Sequence, residues 1–358
     1  MSFQERINAV LHGERPASGG VPFAPYDVLV PRGDFERELR NRGMGLCLRP
    51  EGIWSEMPEV RVEHRSEGEV SYTIHHTPVG SVQSGWRAHV GRISADESVQ
   101  VEWMIKEVAD FEPVIFMIEN AVYHPDYEGF LSHVRDVGTD GIVRLGAPQP
   151  AYDATQDYFS LADWAQIQHE HPAEFTRLLE ALERQRERIM PLLVQAPAEF
   201  VGLGSLSGIF GPRQYEKHVL PFYERYVPQF LEAGKLPALH AHNSNLRAFA
   251  DLVRRTGCPV IEAFTPPPVG DLSVAGAREA WGPEVVIWVN FPETLFWLGK
   301  QETYDYTVDL LKQDAGSGRL VIGMTEMGSY GITDDESERA FKEGMRAIMD
   351  AIDEHGVY

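Results

Sequence analysis

Apolar and polar positions change their period along the chain, and these changes mark out its elements. Ile7, Val10 and Leu11 share one face of a helix over residues 2–12, which Gly13 ends. The run Val21-Pro22-Phe23-Ala24-Pro25-Tyr26-Asp27 predicts a buried first strand with polar residues at its end. Residues 34–43 predict a short helix closed by Gly43. The stretch 59–92 alternates instead: Val60 and Val62 share a face, Ser66-Glu67-Gly68-Glu69 turns, and Val70 to Thr77 alternates again, which is a β-hairpin signal. A third strand follows from about Val79 to His89. From about residue 97 helical and strand periods take turns. Apolar strand segments fall near 114–118, 142–146, 200–204, 236–240, 259–264, 285–290 and 320–324. Helical segments fall at 127–137, 172–194, 212–233, 244–256, 271–281, 301–314 and 335–354.

With the strand at 21–25 this gives eight strands in βα alternation, the pattern of an α/β fold with parallel strands joined by helical crossovers. Eight units predict a (βα)8 TIM barrel. The expected organisation is a single barrel domain over 1–358, carrying a small antiparallel β insert at about 59–92. A doubly wound sheet would open on a glycine-rich phosphate turn, and the first unit has none.

Composition narrows the function classes. The chain has 358 residues, 43% hydrophobic and 24% charged, enough for a large core, and a formal net charge of −22. That charge repels nucleic acid and anionic membrane surfaces, and no Lys/Arg run offsets it, so neither is an expected partner. Cys47 and Cys258 make no disulfide framework, the opening residues read as an amphipathic helix rather than a signal peptide, and no apolar run has the length of a membrane span. The expected location is cytoplasmic.

In a (βα)8 barrel the chemistry sits at the C-terminal ends of the strands. Leu239-His240-Ala241-His242-Asn243-Ser244-Asn245 is the richest such end. Residues i and i+2 of an extended chain point the same way, so both imidazoles can face one site. Two further strands end in Glu262 and in Thr325-Glu326. Two nitrogens and one or two carboxylates make a divalent-metal site, with His240, His242, Glu262 and Glu326 as ligands. Asn243, Asn290, Ser205 and Ser207 are polar candidates for holding a cofactor. Tyr26, Asp27, Tyr152, Phe210, Trp288 and Tyr330 are candidates for a substrate wall. Large apolar side chains are more often core than ligand contacts, so each aromatic has a plain packing role as its alternative.

Several segments resemble the uroporphyrinogen decarboxylase superfamily. Glu5-Arg6-Ile7-Asn8-Ala9-Val10-Leu11-His12-Gly13-Glu14-Arg15-Pro16 matches an opening "R-x-x-A-x-L-x-G-x-x-P". Ser207-Gly208-Ile209-Phe210-Gly211-Pro212-Arg213-Gln214-Tyr215 and the later Pro221 fall on a polar loop leading into "S-P-x-x-Y/F…P". Pro237 to Asn245 matches an "H-x-C-G-N" segment, and Val289 to Leu295 a "G-N-x-D-P…L" strand end. The resemblance covers most of the chain and implies a barrel of that type. Its porphyrin branch holds a tetrapyrrole with an Arg-Gln-Ala-Gly-Arg segment, which Val28 to Asp34 does not reproduce. Its other branch comprises corrinoid-dependent methyltransferases, in which zinc is held by His-x-Cys, an acidic residue and a later Cys. Here His242 stands for the first Cys and Glu326, or Thr325, near the second, leaving a harder nitrogen–oxygen donor set.

The resemblance therefore implies a zinc-type, metal-dependent methyltransferase. It would move a methyl group from a small donor, a methoxylated aromatic or a methylamine, to a corrinoid carried by a partner protein. Glu262, Glu326 and His242 are the catalytic candidates, because a departing oxygen or nitrogen needs a Lewis acid or a proton. The sequence carries no D-x-H-x-x-G corrinoid segment of its own. The alternative enzyme is a decarboxylase of a small or tetrapyrrole-like acid, distinguished by carbon dioxide release without cobalt. The alternative outside catalysis is a barrel that binds a ligand or metal without turnover.

Overall fold

The computed structural model describes residues 1–88, 98–206, 208–242, 245–324 and 332–357. Ser207, Asn243, Thr325, Glu326, Tyr330 and the last residues of the 59–92 insert lie outside them. The fold is a mixed α/β, TIM-barrel-like one, and it divides into two compact units. Unit 1 holds Met1–Gly52, Tyr127–Ala147 and Pro197–Tyr358; unit 2 holds Ile53–Asp126 and Pro148–Ala196.

In chain order, unit 1 begins with the extended segment 22–26 and β1 (Leu46–Leu48). Unit 2 then supplies β2 (Ile53–Glu56), β3 (Arg61–Glu67), β4 (Val70–Thr77), β5 (Gly80–Ala88), β6 (Ser98–Glu102) and β7 (Val122–Pro125). Unit 1 resumes with β8 (Gly141–Val143), β9 (Leu145–Gly146), β10 (Phe200–Ser205), β11 (Leu236–His240), β12 (Val260–Phe264), β13 (Val286–Phe291) and β14 (Leu320–Met324).

The strands of unit 1 run parallel. A six-stranded sheet has the order β14-β13-β12-β11-β10-β9, and β1 pairs with β8. Backbone bonds extend these ladders. Ile322 donates to the Pro22 carbonyl and Ala24 to that of Ile322 (2.9 and 2.7 Å), Gly45 and Cys47 donate to Phe23 and Pro25 (3.0 Å each), and Arg144 donates to Leu48 (2.8 Å). β8 and β9 form one strand position interrupted at Arg144, β8 facing β1 and β9 facing β10. These strands are almost wholly apolar, as strands covered on both faces must be. Helices cover the outer face: Phe264 of β12, for example, meets Trp281 of the helix Val274–Trp281 edge to face at 5.2 Å.

Unit 2 carries the antiparallel structure. β3, β4, β5 and β6 form one sheet in sequence order, with the hairpin where the alternation placed it, and β2 pairs with β7. Here the reading of 114–118 as a strand is corrected: those residues lie inside the helix Phe111–Asn120. Phe111, Val114, Ile115 and Ile118 are buried at helical spacing, and Arg188 donates to the carbonyls of Ile118, Glu119 and Ala121 at the helix end. A five-residue apolar run does not separate the two periods. The strand position left open is filled by Leu46-Cys47-Leu48, too short to show a period. His75 is buried within β4.

In unit 1, Arg278 ties four segments together. It donates to both carboxylate oxygens of Asp314 at 2.8 Å and to the carbonyls of Gly282 and Val285 at 2.9 and 2.5 Å. Asp314 is buried, and the fork pairs both of its carboxylate oxygens. Arg278→Ala is expected to lower the unfolding free energy by about 3–5 kcal/mol, the cost of leaving a buried charge alone. Guanidinium denaturation of wild type and variant measures it.

Candidate functional site

Register places the site. Ser205 of β10 lies opposite His240 of β11, and His240 opposite Glu262 of β12, so three polar residues stand abreast on adjacent strands at their C-terminal ends. Glu262 is fully buried. Arg144, from the interruption between β8 and β9, reaches its Oε1 with Nη2 at 2.5 Å and Nε at 2.8 Å. His240 Nδ1 meets the same oxygen at 3.2 Å and the Tyr26 hydroxyl at 3.4 Å. A carboxylate only accepts, so Nδ1 carries the proton and Nε2 keeps its lone pair.

Two backbone devices make this packing possible. Gly202 of β10 gives Arg144 its path, since a Cβ at that position would overlap the guanidinium carbon. At β12 the alternation breaks. Glu262 faces Arg144 and His240, whereas Phe264, two residues on, faces the helix layer. A regular strand would point both the same way. Ala263 between them takes a left-handed φ of 56°, within the register shift from Ile261 to Phe264. That conformation costs an alanine about 1–2 kcal/mol, and strain of this kind gathers at functional sites.

The charges are strongly coupled. Burial would raise the Glu262 carboxyl, but the Arg144 charge and the His240 hydrogen bond outweigh it and hold the group down at about 2. Burial works against the Arg144 cation, and Glu262 overcomes this, so the guanidinium is held more firmly charged than usual. Burial and then the Glu262 charge push the Tyr26 phenol well above its ordinary value, leaving it neutral. Burial also raises the Cys47 thiol, which makes it a poor nucleophile.

The remaining sequence candidates fall in different places. His242 is exposed, its ring 5.1 Å from that of His240. Asp27 opens a short 3-10 turn directly after Tyr26 and is half-buried. Asn290 is buried on β13 with its Oδ1 lacking a hydrogen-bond partner among the described residues, and Trp288 on the same strand stacks on Phe200 at 5.7 Å. Gly323 of β14 leaves room for both, as an added Cβ would come within 2.8 Å of Trp288 Nε1 and 3.2 Å of Asn290 Oδ1. Phe210 is buried in the segment after β10. Tyr152 lies in unit 2, where its ring meets Trp164 and Phe175 edge to face and its hydroxyl donates to Gln168. Ser207, Asn243, Glu326 and Tyr330 lie outside the described residues.

Arg144, and Arg49 with its guanidinium over the Tyr26 ring, are residues of this region that sequence reasoning passed over. Arg144 left a signal, a single cation inside the apolar strand segment 142–146. Arg49 left none, since it follows a strand of only three residues.

Among the described residues no group of three or more His, Cys, Asp or Glu side chains is arranged to hold a metal ion. Two of the expected ligands do meet. The Oε2 atom of Glu262 is buried with no hydrogen-bond partner among the described residues, and the donor chemistry beside it, imidazole and carboxylate, suits a divalent ion.

No family model matches the chain, and no curated protein matches it in sequence. Among solved structures it is similar to a methyltransferase from Methanosarcina mazei, with 13% identity, 99% of each chain covered and a TM-score of 0.58. This likeness shows the fold. An endo-beta-mannanase/endo-beta-glucanase from Prevotella bryantii (7% identity, 90% of this chain and 44% of that one, TM-score 0.38) is too distant to carry an argument. The same holds for a sugar phosphate isomerase/epimerase from Parabacteroides distasonis (10% identity, 93% and 96%, TM-score 0.35). No helix among the described residues is long and apolar enough to cross a membrane.

Glu262→Gln should destabilise the protein at pH 7 by about 3–5 kcal/mol, because Arg144 is left charged and unpaired. The native carboxyl titrates lower than the unfolded one. Its contribution is therefore complete above the ordinary carboxylate range and fades as pH falls from about 4.5 toward 2. Denaturant titrations at pH 7 and pH 3 should show the gap between wild type and variant narrowing at the lower pH.

Proposed function

We propose that this chain is a methyltransferase that moves a methyl group from a small donor to a corrinoid carried by a partner protein. The single observation that carries the reading is the buried Arg144–Glu262–His240 cluster at the strand C-termini, on a fold that spans the whole of a structurally similar methyltransferase. We further read the linked strand positions of unit 1, from segment 22–26 round to β14, as a closed barrel of the uroporphyrinogen decarboxylase type.

A corrinoid in its reduced state is a strong nucleophile, so the protein's work lies with the leaving group. Arg144 keeps Glu262 ionised. Glu262 then holds the Nδ1 proton of His240 and directs the Nε2 lone pair away from itself, where it can serve a metal, and a proton for the departing oxygen or nitrogen is assigned to Glu326 or His242. Tyr26, buried and neutral, braces the imidazole from the side. Apolar side chains of β10 to β13 exclude water below the cluster, which strengthens each of these interactions. Zinc or another divalent ion would be held by His240, His242 and Glu262 through Oε2, together with Glu326, and when bound would supply a Lewis acid for the leaving group. Ser205, Ser207, Asn243 and Asn290 are assigned to the acceptor side, and the aromatic candidates of unit 1 to the donor side.

The test is spectroscopic. Purified protein is mixed with methoxylated aromatics and methylamines and with cob(I)alamin in solution, and methylcobalamin formation is followed by absorbance. His240→Ala and Glu262→Gln are expected to slow the transfer by about a hundredfold or more, the range for loss of a positioned acid–base group, and to lower bound metal in the same samples. Full activity in both variants, or decarboxylation of a substrate with no cobalt present, would overturn the assignment.

A further inference from the structure

Two cations reach this end of the strands. Arg144 and Glu262 cancel each other. Arg49, directly after β1, does not share in that cancellation. Its guanidinium lies over the Tyr26 ring with Cζ 3.7 Å from the ring centroid, and Tyr26 in turn stacks with His240 at 6.2 Å. Among the described residues Arg49 has no carboxylate within ion-pair distance and no hydrogen bond. It is an exposed cation beside the reactive imidazole, in a chain whose formal net charge is −22.

Stacking on a buried tyrosine fixes the plane of the guanidinium while leaving its N–H donors unused. A planar fork held in this way matches a carboxylate, which accepts two parallel hydrogen bonds from it. The guanidinium and the His240 ring both rest against Tyr26, and their separation cannot exceed the two ring distances together, which one small aromatic acid spans. We propose that Arg49 is a specificity-determining residue of the site, pairing with a carboxylate on the methyl donor while the methyl-bearing atom lies at His240. This rests on the methyl-transfer reading above and narrows its donor to a small acid, such as a methoxylated aromatic acid or an N-methylated amino acid.

Binding alone tests it, without cobalt. Calorimetry compares 4-methoxybenzoate with 4-methoxybenzyl alcohol, and N,N-dimethylglycine with N,N-dimethylethanolamine, on the full-length protein and on folded Arg49→Gln and Arg49→Lys variants. At least one acid is expected to bind wild type about tenfold or more tighter than its uncarboxylated counterpart. Arg49→Gln should remove that preference, Arg49→Lys should recover part of it, and the counterparts should be unaffected, as loss of a charge-assisted pair requires. Added salt should weaken acid binding to wild type and not to Arg49→Gln. Absence of any acid preference in wild type, or equal weakening of acids and counterparts in Arg49→Gln, overturns the proposal. Inorganic phosphate displacing the acid at equal affinity would move Arg49 to the acceptor side and overturn it also. Retained acid binding with no methyl transfer to cobalt would instead count against the methyltransferase reading alone.

Discussion

The ion pair between Arg144 and Glu262 is the constraint around which the polar interior of unit 1 is arranged. A fully buried carboxylate is tolerable only if a cation accompanies it into the core. The cation comes from a different strand position, so the pair also joins β8 and β9 to β12 across the interior. His240 draws its proton position from that carboxylate, and burial together with the same charge raises the Tyr26 phenol. Without the pair, the imidazole would lose the partner that orients it. The left-handed turn at Ala263 belongs to the same arrangement, because it lets β12 present Glu262 inward and Phe264 outward within three residues.

Much of unit 1 was legible in the amino-acid pattern, and the reasons are local. The strands ending at His240, Glu262 and Asn290 are continuous apolar runs bounded by turn residues and separated by amphipathic helices, so both their position and their polar ends could be read directly. The pairing of His240 with Glu262 followed from strand order alone. Arg144 was not legible as a site residue because its partner lies more than a hundred positions away, and nothing near position 144 says which carboxylate it meets. β1 escaped because three residues cannot display a period. The helix Phe111–Asn120 was misread because Val114 to Ile118 is apolar almost throughout; its true period shows only when Phe111 and the covering Arg188 are considered with it.

Unit 2 follows different rules. The strands of its larger sheet pair with their sequence neighbours, so alternation and turn residues locate β3, β4 and β5, and its core is aromatic, with Tyr152, Phe159, Trp164 and Phe175 linked by ring contacts. Asp153 lies in that unit, buried and with neither carboxylate oxygen hydrogen-bonded. Burial and then the neighbouring Asp157 raise it to about 8, which makes it a neutral acid around physiological pH. The two units thus accommodate a buried carboxyl in opposite ways, one by supplying a cation and the other by keeping the proton.

Gly202 has a significance that reaches beyond this one molecule. It is the notch through which a charged side chain crosses the interior, and the notch and the side chain have value only together. A lineage that places any larger residue at 202 loses the route for Arg144, and Glu262 then becomes a burden to be replaced. Positions 144, 202 and 262 should therefore drift as a linked set among descendants of this fold. Proteins that have abandoned the chemistry at His240 should be recognisable first by a side chain appearing where this chain has none.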